Sequence, residues 1–170
     1  MIERFQRSSS MAEQHLDTED YQQAIALYYD ASQSADEICE RFFRLLIRTA
    51  PDPAYRTLFV ETLCWRLRYY MSQYEYHLAV ARTLTGLPRD EWLARIETIL
   101  ILSQSLVAKL LSVLDSVDDR TLHSRVVSAL HSWVAGIRKL VSDLKRWGMS
   151  SAQASQVLEW ALDNGMGRER

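Results

Sequence analysis

The chain offers few side chains suited to metal binding or nucleophilic chemistry: four histidines (His15, His77, His123 and His131) and two cysteines (Cys39 and Cys64). A helical metal site needs ligands three or four residues apart on one face, as in the Glu-x-x-His pairs of di-iron bundles. No Glu or Asp stands three residues before any of these histidines. Glu75 precedes His77 by two, which is the wrong helical angle, and no His-x3-His pair exists. The residues therefore argue for no metal and no cofactor. His77 falls on an apolar seam with Tyr70, Tyr74 and Ala81, and reads as a core or boundary histidine bonded to a Tyr hydroxyl or a backbone carbonyl. The cysteines sit in apolar stretches outside any CxxC pair, and read as buried free thiols of a reducing compartment. There is no Gly-x-Ser-x-Gly elbow and no glycine-rich phosphate loop.

One pair stands apart. Arg125-Val126-Val127-Ser128-Ala129-Leu130-His131 places a histidine six positions after an arginine. In an all-helical chain this resembles the Arg-x4–6-His motif of the HEPN family, small helical bundles of which many are metal-independent ribonucleases working as dimers. The resemblance covers seven residues and departs from the family in Val126, where a polar residue is usual. It implies His131 as general acid or base for attack by a ribose 2′-hydroxyl, and Arg125 as stabiliser of the phosphorane charge.

The elements that would carry these residues are helices. Hydrophobic residues make up 48% of 170 positions, with only five Gly and three Pro, too few turn-formers for a chain of short strands. A first long helix is expected over residues 18–49, capped by Asp17 or Thr18, with its seam at Tyr21, Ala24/Ile25, Tyr28, Ala31, Ala35, Ile38, Phe42 and Leu45. Its run Ala31–Ala35 is a weak middle. Asp52 and Pro53 open a second helix, which Gly86 and Pro88 close. Its seam is Val60, Leu63, Leu67, Tyr70, Tyr74, His77, Ala81 and Leu84. A third helix spans residues 89–117, followed by a capping turn at Ser116–Asp119. A fourth runs over 120–147 with Trp133 and Trp147 on its stripe, ended by Gly148. A short fifth covers 151–163, with Ser150 and Gln153 as a capping box and Met149 stapling onto Ala154.

Short connections make consecutive helices antiparallel neighbours. The expected fold is all-α: an up-down-up-down four-helix bundle of long helices plus a short C-terminal fifth. Residues 1–16 form a flexible arm, 17–165 a single domain and 166–170 a frayed tail. The N-terminus lacks an apolar leader core, and the longest apolar run, Ile99–Leu102, is far short of the ~20 residues of a membrane span. A cytoplasmic protein without a membrane partner is expected.

Net charge is −2, which by itself gives no drive towards nucleic acid or an anionic surface. It is uneven: residues 1–49 hold five basic and nine acidic groups, whereas 118–149 hold six basic and three acidic. A nucleic-acid-binding subunit using Arg120, Arg125, Arg138, Lys139, Lys145 and Arg146 is a further alternative to the ribonuclease. The leading functional signal is aromatic surplus. Phe59, Trp65, Tyr69 and Tyr76 form a second stripe on the second helix, and the third helix is apolar over more than half its circumference, whereas a four-helix bundle needs one broad face per helix. Tyr, Trp and Arg dominate interface hot spots. The sequence thus points to a non-enzymatic adaptor, regulatory subunit or self-assembling unit. It would bind another protein or a second copy through Phe59, Trp65, Arg66, Tyr69, Tyr76 and Trp92. The competing reading is that the fifth helix and the N-terminal arm cover the surplus.

Overall fold

The computed structural model describes residues 1–49, 54–83, 89–114, 119–146 and 148–166. Among these the chain is all-α, with no strand and six helices: α1 (Ile2–Asp17), α2 (Tyr21–Thr49), α3 (Ala54–Thr83), α4 (Arg89–Leu114), α5 (Arg120–Arg146) and α6 (Ala152–Asp163). The expected signals at Pro51–Pro53, Leu84, Gly86, Pro88, Ser116–Asp118 and Trp147, and the tail after Met166, lie outside the described residues.

Residues 1–92 and the residues from Leu93 onward make two compact units. In the first, α1, α2 and α3 run antiparallel in sequence order. Ala12 and Leu16 on α1 pack with Ala24 and Tyr28 on α2, while Arg4 and Ser8 both bond Asp30. Down the α2–α3 pair, Tyr29 meets Tyr76, Asp36 meets Arg66, and the Cys39 thiol faces the Thr62 carbonyl. Residues 1–16 are expected as a flexible arm; Ile2–Asp17 are instead a helix docked by its small and apolar positions, with Ser8, Ala12 and Leu16 buried. Their four-residue spacing draws one narrow stripe through an otherwise polar segment.

That extra helix moves the first cap. Asp17 closes α1, Thr18 follows it, and Glu19 adopts the left-handed conformation at φ 62°. The Asp20 amide returns to the His15 carbonyl at 2.9 Å, which terminates α1. Asp20, not Asp17 or Thr18, then caps α2 by accepting from the Gln23 amide. The expected weak middle is unbroken helix. Ala31, Ser32, Ser34 and Ala35 are all buried, and small side chains let neighbouring backbones approach closely. At the far end the seam drifts by one residue: Leu46 is buried, whereas Leu45 is 47% exposed. A straight helix has 3.6 residues per turn, so a strict heptad slips off its face within a few turns.

α3 is buried on two faces. Val60, Cys64, Leu67, Tyr74 and Leu78 lie on one; Thr62, Trp65, Ser72 and Ala79 lie on the other. The second face packs on α1 and α2. The sequence reads a second stripe on this helix, and α1 and α2 together are what cover the second face.

The second unit is held by polar bonds within apolar packing. α5 buries a single stripe of Leu122, Val126, Trp133, Ile137, Leu140 and Leu144. The Trp133 indole donates to the Ser103 hydroxyl on α4 at 3.0 Å, and that hydroxyl donates to the Leu100 carbonyl. Trp133 also meets Trp160 on α6 edge to face, with centroids 6.3 Å apart. Asp119 caps α5 through the Thr121 and Leu122 amides, and Gly148 ends it in the left-handed conformation at φ 68°. The cap of α6 is Ser151, one residue after the expected Ser150. Its hydroxyl accepts from the Ala154 amide and donates to Glu97 at 2.6 Å.

Candidate functional site

The residues expected as surface anchors divide by burial. Trp65 and Trp92 lie in the core, 4% and 6% exposed. Trp65 packs among Ala35, Ile38 and Cys39, with Phe5 of α1 across its face and the Arg68 guanidinium 4.5 Å from its ring centre. Trp92 donates its indole N–H to the His77 carbonyl at 2.6 Å, tying the first turn of α4 to α3. Tyr69 and Tyr76 are half-buried against the two core clusters. Arg66 bonds Asp36 at 3.0 Å, with its guanidinium 5.4 Å from the Tyr69 ring centre. Phe59, also half-buried, stacks on Tyr55 with ring planes 7° apart. The aromatic stripe of α3 is therefore spent mostly inside the molecule.

The chemistry-bearing side chains do not converge. Arg125 and His131 are both exposed on α5, and six residues at ~100° each set them about 120° apart around the helix. Arg120, Arg138, Lys139, Lys145 and Arg146 are exposed on the face opposite the buried stripe, and Arg146 pairs with Asp143 at 3.5 Å. His77 is half-buried, edge-on to Tyr76 at 5.2 Å. Cys39 and Cys64 are buried free thiols, and burial pushes the Cys39 thiol up, away from the reactive thiolate. Among the described residues, no three His, Cys, Asp or Glu side chains come together to hold a metal ion.

The exposed apolar surface lies elsewhere. Phe43, Leu45 and Ile47 at the end of α2 and Tyr55 at the start of α3 are 39–65% exposed. The signal was present as Phe42-Phe43 and Leu45-Leu46-Ile47, five apolar positions in six, more than one stripe can bury. α4 supplies another patch. One of its seams is buried (Ile96, Leu100, Ser103, Val107, Leu110), while Ile101 and Leu102 on the outer side are each 46% exposed. Residues 91–114 are also the one stretch among those described that is long and apolar enough to cross a membrane by length and composition. Only 28% of its most apolar window is buried.

Compared with known proteins, the chain matches no family model, no curated protein and no solved structure.

Proposed function

We propose that the chain is a non-enzymatic interaction protein, an adaptor, regulatory subunit or self-assembling unit, and that it binds a helix of another protein or of a second copy along the outer side of α4. The observation carrying this is the exposure of Ile101 and Leu102 opposite a seam that is already buried. Ala94, Thr98, Ile101, Ser105, Ala108 and Ser112 step by four and three along that outer side, the spacing with which one helix packs on another. Small side chains permit close approach, and Ile101 with Leu102 supplies the apolar area. The up-down-up-down order of the four long helices belongs to the same reading, supported by connections of a few residues. So does a cytoplasmic setting, supported by two free thiols. The ribonuclease alternative stands behind it, because Arg125 and His131 of one copy do not aim at a common atom.

The test is solution mass by sedimentation, together with capture of partners, for the wild type and for Ile101→Lys/Leu102→Lys. The expected result is a lower mass or loss of a captured protein with unchanged helicity. A monomeric wild type whose captured proteins are those of the variant rejects the reading.

A further inference from the structure

The chain's net charge of −2 conceals a strong segregation within its first unit. Residues 11–40 contain eight carboxylates and no Lys or Arg, whereas residues 41–56 contain four arginines and a single carboxylate, Asp52. The fold turns this order into geometry. α1 runs back along α2 only as far as the level of Asp30 to Ile38, where Arg4 and Phe5 engage. The last turns of α2 therefore project beyond α1. The α2–α3 pairing sets Asp36 opposite Arg66 and Cys39 opposite Thr62, so Phe43–Arg48 fall level with Tyr55–Phe59. One end of the unit thus gathers Arg41, Arg44, Arg48 and Arg56, all exposed, with exposed Phe43, Leu45, Ile47 and Tyr55 among them.

We propose that this end of the α2–α3 pair docks on an anionic lipid surface, the apolar side chains entering the headgroup boundary and the arginines meeting lipid phosphate and carboxylate groups. Apolar side chains interleaved with cations are what such a surface selects, since burial of the first and attraction of the second act together. A second copy is the weaker occupant. It can offer carboxylates at the α1–α2 turn (Glu13, Asp17, Glu19, Asp20), but the exposed large apolar side chains nearest them in sequence are only Met11 and Tyr29, two against the four of the patch. The lipid surface supplies both halves of the complement. The proposal goes beyond the α4 contact and uses a different surface.

The test is co-sedimentation of the full chain with phosphatidylcholine vesicles, with and without phosphatidylserine. Binding is expected to the anionic vesicles alone and to fall with added salt. Arg44→Glu/Arg48→Glu should weaken it at least about tenfold, and Phe43→Ser/Ile47→Ser should weaken it comparably. All four positions are exposed, so circular dichroism should be unchanged. Lys139→Glu/Lys145→Glu on α5 should bind as the wild type does. The proposal is overturned by no binding at low salt, by equal binding to neutral vesicles, or by binding that the α2 variants leave intact. Self-association lost in those variants, without vesicle binding, would assign the patch to a second copy instead.

Discussion

The ring of Phe5 on α1 stands edge-on to the indole of Trp65 on α3, centroids 5.4 Å apart and planes at 83°. Aromatic pairs favour this geometry, because the positive ring edge meets the negative face. Through it the first helix reaches past α2 to the third and covers the residue that sequence reasoning placed at a partner surface.

Replacement of Trp65 by Ala should therefore cost about 3–5 kcal/mol of stability, the range for emptying a large buried aromatic site. Phe5→Ala should cost less, since Phe5 is half-buried. Urea unfolding followed by circular dichroism measures both. A Trp65→Ala variant that melts like the wild type yet loses a partner would restore the surface role.

Tyr28 is buried among Ala12, Leu16 and Ala24, and its hydroxyl has no hydrogen-bond partner among the described residues. Burial accordingly pushes its phenol far above the ordinary range. Removing an unsatisfied buried hydroxyl relieves a desolvation cost, so Tyr28→Phe should stabilise the protein by up to ~1 kcal/mol. A melting temperature lowered by that substitution would reveal a bonded hydroxyl.

Glu19 holds a left-handed backbone between α1 and α2, a conformation that glycine adopts without a Cβ penalty. Glu19→Gly should raise stability by about 0.5–1 kcal/mol, and Glu19→Val should lower it, because a β-branched residue is most strained there. Thermal denaturation of the pair checks the ordering.

Asp30 accepts from Arg4 and from the Ser8 hydroxyl. The Arg4 hydrogen bond chiefly, with Ser8 assisting, holds its carboxyl below the ordinary 3.8. A depressed carboxyl pKa contributes stability in full above the unfolded value and loses it as pH falls through the folded one. The α1 attachment should thus weaken in acid below about pH 4. Asp30→Asn should remove that part of the pH dependence. Amide exchange of α1 across pH 2–6 reads the effect. Identical profiles for the wild type and Asp30→Asn would mean that the pair contributes nothing to the attachment.

The ends of α5 were legible, since capping is local chemistry: Asp119 and Gly148 act where their residue types require, whereas the cap of α2 is Asp20, not Asp17 or Thr18, because α1 ends there. Ser151 displaced Ser150 by one position, because the two are equivalent in sequence and the bond to Glu97 is a tertiary event. α1 was missed because its buried side chains, Ser8, Ala12 and Leu16, are mostly small and one is polar, which leaves little hydrophobic contrast. On α3 the expected second stripe shares Trp65 with the second buried face, while Phe59, Tyr69 and Tyr76 are half-buried. Deciding what covers a stripe takes long-range pairing, here Phe5 to Trp65, which sequence spacing does not encode. The exposure of Phe43 and Ile47 was signalled only by five apolar positions in six; which of them stay uncovered depends on the length of the covering helix.

Ser103 is the lone hydroxyl on the buried seam of α4, whose other members are Trp92, Ile96, Leu100, Val107 and Leu110. A seam of aliphatic residues alone could slide by one turn and still meet greasy neighbours, because each position resembles the next. The Trp133 indole finds an oxygen in only one such alignment. A single atom thus serves as the keyway of an otherwise smooth shaft, setting which turn of α4 faces which turn of α5.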